Sequence, residues 1–365
     1  MKTKLGIALV IAALLLSLSI PVYAVSDDSQ LQIQSYLRLW GIDLQFIYQG
    51  LQFINGVDTN LWISAGGGAE TIGFYRESDD SLYTPPLTGT DLGIFNRTNF
   101  LGTLGLSQGL IYDEANQRNL LELMFYYRSS SETYTKLNGV NAKIFETTLP
   151  DRDGITQNSA LVGIVYKGIA IDPDTQVRQG VYAEASYESA PKSLNDIADY
   201  TRLNTTAIGF WPLVQSETYC LFLGDRMMYD KLDGAYIPIN ARSSFGGASV
   251  FPGITSLGLG GTIRGVGPGR FDGYDKLINN LDLRMTFPEL IGGGWMTPGV
   301  IVYYDFGYTD NLTHELDLDQ MKSSAGLSLF AHLKLPLVEL DLGVSNDYFI
   351  NENRSTLNLL AYLQF

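Results

Sequence analysis

The residues with the clearest chemical potential are one arginine and the glycines around it. Arg264 lies within residues 257–270, LGLGGTIRGVGPGR, which hold six glycines that include Gly260, Gly261 and Gly265. Such glycine density permits an irregular backbone that approaches a wall closely. A guanidinium shielded from water needs a carboxylate, which its planar fork contacts through two parallel hydrogen bonds. From the residues alone, the stretch fits two structures equally well: an irregular loop packed inside a wall, where the arginine would need a carboxylate, and an exposed flexible loop.

Two segments downstream supply candidate carboxylates for this arginine. Side chains of a strand alternate between its two faces, so residues 276–287 place Asp282 on a polar face opposite a row of apolar residues. Residues 299–309 place Asp305 on the equivalent face, and Gly307 follows two positions later. Because glycine has no side chain, Gly307 leaves room beside the carboxylate. Asp305 and Asp282 are therefore the candidate partners of the arginine.

These three segments resemble one known family. Leu259-Gly-Gly-Thr-Ile-Arg-Gly265 is similar to the Gly-Gly-x-x-Val-Arg-Gly-Phe/Tyr signature of the BamA/TamA-type assembly and translocation barrels, a superfamily that includes bacterial surface antigens. Asn280-Leu-Asp-Leu-Arg284 and Asp305-Phe-Gly307 resemble two strand motifs of the same family, in the same order. The resemblance covers the C-terminal third of the chain well. It implies that the loop folds back into a barrel lumen and that Arg264 contacts Asp305, with Asp282 and Asp341 as reserve partners.

The chain departs from the family pattern in two places. Val266 stands where the family has an aromatic residue after Arg-Gly. Fewer than about 20 residues separate the expected signal cleavage site from the first strands, which is too short for even one small domain. We therefore expect a barrel without periplasmic POTRA domains. The resemblance implies an all-β, transmembrane antiparallel β-barrel of 16 strands, with 14 or 12 as alternatives.

The N-terminus is typical of an exported protein. Lys2 and Lys4 precede a short apolar run, and small residues follow up to Ala24. A basic region, an apolar core and a small-residue cleavage site describe a secretory signal. We therefore expect residues 1–24 to be a signal peptide and residues 25–365 to form a barrel in the bacterial outer membrane.

The C-terminus alternates almost strictly for ten residues. One face of this segment carries Leu357, Leu359, Ala361, Leu363 and Phe365. A final strand with one apolar face can pair with the first strand, so that lipid meets no open sheet edge. The resemblance implies that this seam is a lateral gate and that the terminal strand is recognised by the barrel-assembly machinery during insertion.

Alternating segments separated by Gly, Pro, Asn and Asp recur along the whole chain. Thirteen are clear, namely residues 43–52, 60–70, 99–110, 119–128, 159–168, 178–188, 202–211, 216–226, 276–287, 299–309, 323–335, 337–345 and 355–365. Since closed bacterial barrels prefer an even strand number, we expect another strand within residues 30–40 or 237–261. Long polar connections are predicted at residues 71–96 and 129–158, and a short turn is predicted at Pro336.

Composition excludes several function classes. Charged residues make up 17% of the chain, below the roughly 25% usual in soluble domains. The net charge of −15 argues against binding nucleic acid. Cys220 is the only cysteine and His314 and His332 are the only histidines, so we expect neither a disulfide nor a histidine metal site. No Ser/His pair shares a strand face, and we expect no enzyme activity and no cofactor.

The resemblance implies that this protein assists insertion or transport of protein or lipid at the outer membrane. Its partners would be outer-membrane lipid and a separate periplasmic protein, either a POTRA-bearing protein or a chaperone. One alternative is a passive, cation-preferring channel, since Asp282, Asp305, Glu339 and Asp341 would give the lumen an acidic wall. A second alternative is a structural surface-antigen barrel without transport.

Overall fold

The computed structural model describes most of the chain, in segments. The described residues are 30–38, 41–54, 56–74, 93–115, 118–136, 150–151, 153–172, 174–242, 244–248, 263–266, 273–288, 290, 294–310, 321–335 and 338–364. The expected signal peptide, Gly260, Gly261 and Phe365 lie outside these ranges.

The described residues form an all-β chain of fifteen strands. They are β1 (Gln30–Arg38), β2 (Gly41–Ile54), β3 (Val57–Phe74), β4 (Gly93–Asp113), β5 (Arg118–Lys136), β6 (Gly154–Lys167), β7 (Ala170–Ile171), β8 (Arg178–Ala190), β9 (Asp199–Gln215), β10 (Cys220–Tyr236), β11 (Asp275–Thr286), β12 (Met296–Asp310), β13 (Lys322–Leu335), β14 (Val338–Phe349) and β15 (Arg354–Gln364). A short helix, α1, spans Ile239–Arg242. Among the described residues, no helix is both long and apolar enough to cross a membrane.

The strands form one antiparallel sheet in which sequence neighbours are also spatial neighbours. Fourteen of them follow one another along a single path, and β7 pairs only with β8. Each of the thirteen predicted segments corresponds to a strand on this path, because alternation over such lengths is a strong strand signal. The additional strand is β1, within residues 30–40. Sixteen strands remain a prediction, since the described path holds fourteen.

The predicted connection at residues 129–158 is wrong in its extent. β5 continues through Lys136 and β6 begins at Gly154, with Ser131 paired to Thr156 across the two strands. β5 has 19 residues and β4 has 21, whereas about 9–11 residues suffice to cross a bilayer. A part of a hairpin that extends beyond the bilayer needs no apolar outer face. Its serines and threonines therefore show no alternation of apolar and polar residues, and the sequence pattern does not indicate a strand there.

The two faces of the sheet have opposite character. In β11, Asn280 and Asp282 are fully buried, whereas Leu281 and Leu283 are 38% and 40% exposed. In β12, Asp305 is buried and Val302 is 53% exposed. We call the face with the buried side chains the inner face. Polar residues on the inner face and apolar residues on the exposed face are the pattern of a wall that stands in lipid.

The inner face also carries an apolar cluster over β3 to β10. Its fully or nearly fully buried members include Trp62, Met124, Val165, Phe210 and Phe222. The rings of Phe210 and Phe222 lie 6.2 Å apart at their centroids. These side chains fill space on the inner side of the strands, so this part of the interior is packed.

The first and last strands approach each other. Some Cα atoms of β1 lie within 8 Å of β15. No strand pairing joins residues 30–38 to residues 354–364. Leu357 is 72% exposed, on the outer face as alternation predicts. The side-chain placements of Leu359, Ala361 and Leu363 lie outside the description, although all three belong to β15. The lateral gate therefore remains a prediction.

Candidate functional site

The connection from β10 to β11 returns to the inner face of the sheet. Its described residues 263–266 lie against β11, where the fully buried Ile263 packs on Ile278. Val266, which stands where the family has an aromatic residue, packs against the same pair. Phe245 also joins this cluster. Apolar contacts thus hold the backbone of Arg264 close to the strand.

Arg264 forms a two-pronged ion pair with Asp305 of β12. Its Nε donates to Asp305 Oδ2 at 2.8 Å and its Nη2 donates to Oδ1 at 2.5 Å. The backbone N–H of Arg264 donates to the same Oδ2 at 2.9 Å. The Asp305 side chain is 0% exposed and the Arg264 side chain is 12% exposed. Such a paired, charge-assisted contact in a shielded position fixes both the position and the orientation of the loop.

Asp282 of β11 bridges two arginines. Arg264 Nη2 donates to Asp282 Oδ1 at 2.6 Å. Arg284, on the same face of β11, donates to Asp282 Oδ2 from Nε at 3.0 Å and from Nη2 at 2.8 Å. Two cations and two carboxylates therefore balance each other at this site. Balance matters because an unmatched charge in a shielded position destabilises a fold strongly.

An aromatic ring extends the site toward the last strands. The Arg264 guanidinium carbon lies 3.6 Å from the centroid of the Tyr303 ring, a stacking distance. The Tyr303 hydroxyl donates to Asp347 Oδ1 in β14. Asn358 of β15 donates to Asp347 Oδ2 at 2.5 Å. The arginine site, which we define as Arg264, Asp282, Arg284, Tyr303 and Asp305, thus connects through Asp347 to both C-terminal strands.

Two glycines permit the close approach of the loop. Gly265 has a φ of +80°, and a Cβ there would lie 2.9 Å from Asp347 Cβ. A Cβ on Gly307 would lie 2.9 Å from the Leu277 carbonyl oxygen and 3.0 Å from Ile263 Cδ1. Any larger residue at either position would push the loop away from the wall.

Replacing Gly307 by alanine is therefore expected to destabilise the folded protein by about 1–3 kcal/mol, as overpacking typically does. The new methyl group would lie too close to the backbone carbonyl oxygen of Leu277, which cannot move without distorting the strand, and it would also displace Ile263. Equilibrium unfolding in urea of the purified protein in detergent measures the change. Gly102→Ala is the matched control, because a Cβ there meets its nearest atom at 3.7 Å. Equal stability of the two variants would contradict the close packing.

The structure brings together most of the residues that the sequence singled out. Arg264, Gly265, Asp282, Asp305 and Gly307 lie in one place. Asp341, a further acidic residue of the predicted lumen wall, instead pairs with His332, at 2.8 Å between its Oδ1 and Nδ1.

Sequence reasoning did not assign Arg284, Tyr303 or Asp347 to the site. Alternation along β11 and β12 places Arg284 and Tyr303 on the inner face, but it does not show that they contact Arg264 or Asp282. Asp347 stands two residues after the inward Ser345, so alternation along β14 could have identified it as inward.

Long antiparallel strands with buried polar residues on one face and exposed apolar residues on the other are typical of β-barrel membrane proteins. No family model and no curated protein matches the chain. Among solved structures, BamA from Haemophilus ducreyi lacking POTRA domains 1–3 is similar at a TM-score of 0.52 and 13% identity, over 92% of this chain and 64% of that chain. CdiB from Acinetobacter baumannii gives 0.47 and 8%, over 92% and 52%. A bacterial polysaccharide outer membrane secretin gives 0.40 and 7%, over 88% and 89%.

The likeness to BamA identifies the fold. This chain has the fold of a BamA/TamA-type outer-membrane barrel, so the resemblance noted in the sequence is confirmed at the level of fold. The match spans 64% of the BamA chain, less than two thirds of its length.

Proposed function

We propose that this protein assists insertion or transport of protein or lipid at the bacterial outer membrane, together with a separate periplasmic partner. The observation that carries the proposal is the arginine site. Arg264 holds a loop on the inner face through a two-pronged pair with Asp305 and a further contact with Asp282. Charged contacts of this kind would allow residues 263–266 to be fastened and released.

The mechanism follows from where these contacts lie. While Arg264 is paired, the loop covers the inner faces of β11 and β12 and supports the wall near the C-terminal strands. The edges of β1 and β15 offer backbone groups to which an incoming strand can be added. A POTRA-bearing or chaperone partner in the periplasm would deliver the substrate to this seam. The mechanism needs no cofactor, metal or nucleic acid.

The inner face supports this function over a passive cation channel. A cation-preferring lumen needs carboxylates that face water. Asp282 and Asp305 are fully buried and paired with arginines, and the nearly buried Asp341 is paired with His332. The side chain of Glu339, the fourth acidic residue of that alternative, lies outside the description.

Deleting the gene is expected to deplete a small set of outer-membrane or secreted proteins, or to change the lipid content of the outer membrane. Quantitative proteomics and lipid analysis of purified outer membranes measure both. Wild-type protein should restore the composition. Arg264→Ala at an equal folded level should not restore it, because the loop is no longer fastened.

Lys192→Ala is the control for complementation, since Lys192 is an exposed loop cation remote in sequence from the site. It should restore the composition fully. An unchanged protein and lipid composition after deletion would contradict the proposal and favour the structural surface barrel. Co-purification of a POTRA-bearing periplasmic protein with the wild-type barrel would support it.

A further inference from the structure

A second polar cluster on the inner face holds the loop where it leaves β10. We call residues 239–248 the stem. At its start, the Ile239 N–H donates to Asp151 Oδ2 at 2.7 Å, and the Tyr236 hydroxyl donates to Asp151 Oδ1 at 2.6 Å. Asp151 is fully buried. This carboxylate therefore binds the stem at the point where the chain turns inward.

Lys276 of β11 is fully buried and is directed at the stem backbone. Its ammonium donates to the carbonyl oxygens of Ala241 at 3.1 Å and Arg242 at 3.0 Å, and to that of Ser244. Asp230 Oδ2 lies 3.2 Å from the same nitrogen. An ammonium group has three donors, so the stem accounts for the hydrogen-bonding capacity of this lysine.

Arg202 of β9 also binds the backbone of the stem. Its Nη2 donates to the Ala241 carbonyl oxygen at 2.6 Å. Its other nitrogens pair with Asp230 Oδ2 at 3.3 Å and with Glu188 Oε2 at 3.4 Å. Glu188 Oε1 also lies 3.7 Å from Arg128 Nη1 of β5, so three cations share the carboxylates of Glu188 and Asp230. The cluster of Glu188, Arg202, Asp230 and Lys276, which we call the lysine site, is therefore complete without the arginine site.

The far end of the stem is pressed against the wall. The Tyr126 hydroxyl of β5 donates to the Gly247 carbonyl oxygen at 2.6 Å, and the Ala248 N–H donates to Glu184 Oε1 at 3.2 Å. A Cβ on Gly246 would lie 2.3 Å from Arg202 Cδ. The described residues of the stem thus lie in direct contact with the inner faces of β5 and of β8 to β11.

We propose that the loop is held at two separate ion-pair sites and that Lys276 is the positioning residue of the first. The two sites share no charged side chain, and Phe245 of the stem packs in the apolar cluster with Ile263 and Val266. Lys276 and Asp282 lie six residues apart along β11, about 20 Å at the usual rise of a strand. The lysine site binds backbone carbonyl oxygens of the loop, whereas the arginine site depends on the side chain of Arg264. Loss of Arg264 therefore releases only the distal part of the loop and leaves the stem in place.

This proposal goes beyond the proposed function and stands whether or not the protein handles a substrate. Its test uses single-cysteine reporters in a Cys220→Ala background, because Cys220 is the only native cysteine. Ala241→Cys reports on the stem, and Val266→Cys reports on the arginine site. The labelling rate of each reporter by a water-soluble maleimide is measured on the folded full-length protein in detergent.

Lys276→Met is expected to raise the labelling rate of Ala241→Cys by about tenfold or more, since charge-assisted hydrogen bonds hold the stem closed. It should raise the labelling rate of Val266→Cys much less, because the stem contributes Phe245 to the packing there while the Arg264 ion pair stays intact. Arg264→Ala should have the opposite pattern. Lys276→Arg should restore protection of Ala241→Cys, because it returns a cation with several donors.

Gly246→Ala tests the same site without removing a charge, should Lys276→Met fail to fold. Its methyl group displaces the stem from Arg202, so it should also release Ala241→Cys much more than Val266→Cys. Gly102→Ala should change neither reporter. If Gly246→Ala or a folded Lys276→Met leaves Ala241→Cys protected, or releases both reporters equally, the loop is not held at two separate ion-pair sites and the proposal is wrong.

Discussion

Replacing Arg264 by alanine is expected to lower the free energy of unfolding by about 3–5 kcal/mol, the usual cost of breaking a shielded ion pair from one side. The Asp305 carboxylate, 0% exposed, would lose both guanidinium contacts and keep the backbone N–H of residue 264 and the Asn280 side chain. Asp305→Ala should have a similar effect, because the guanidinium would then lose its two-pronged partner and keep Asp282 and the Tyr303 ring. Equilibrium urea unfolding in detergent measures the change, and unheated gel mobility checks the folded fraction.

The double variant decides whether the two groups act together. Its loss should be clearly smaller than the sum of the two single losses, because the second substitution removes a group that has already lost its partner. Arg264→Lys should fall between wild type and alanine, since an ammonium cannot reproduce the two-pronged geometry or the stacking on Tyr303. The exposed control Lys192→Ala should stay within about 0.5 kcal/mol of wild type. Strict additivity would show that Arg264 and Asp305 do not touch.

The arginine site could be predicted because its parts carry strong local signals. Alternation along β11 and β12 places Asp282 and Asp305 on the inner face without any tertiary information. Glycine at positions 265 and 307 marks the close approach, and the family resemblance joins the loop to the strand. The stacking of Arg264 on Tyr303, the bridge from Asp282 to Arg284 and the contact of Tyr303 with Asp347 needed coordinates, because alternation fixes the face of a side chain and not the groups that it contacts.

The lysine site could not be predicted, for a physical reason. Lys276 binds the carbonyl oxygens of Ala241, Arg242 and Ser244, and every residue has such a group, so the acceptors leave no trace in the sequence. The length of the β5–β6 hairpin was underestimated for a related reason. Outside lipid, a strand needs only backbone pairing, and its side chains are free to be polar on both faces.

Deleting residues 257–270 is expected to convert a small, irregular conductance into a larger and steadier one. The deleted segment includes residues 263–266, which cover the inner faces of β11 and β12 in the described part of the loop. Arg264→Ala should enlarge the conductance less, because the segment has then lost its ion pair with Asp305 but is still present. Recordings of single molecules in planar lipid bilayers measure these differences.

The remaining interior sets an upper limit on this effect. The apolar cluster around Phe210 and Phe222 stays on the inner face after the deletion, so the conductance should remain below that of an empty barrel of the same size. Gly102→Ala is the control and should match wild type. A large, constant pore in the wild-type protein that Arg264→Ala does not alter would instead identify a passive channel.

The loop from β10 to β11 also contacts strands that are far apart in the order of the sheet. Its stem accepts a hydrogen bond from Tyr126 in β5, and Gly265 lies against Asp347 in β14. Peeling away the C-terminal hairpin would remove Asp347 at the first step and leave Gly265 uncovered. Peeling from the N-terminal edge would reach Tyr126 only after β1 to β4 had left. The contacts of the loop with the sheet would therefore be lost in a different order from the two edges.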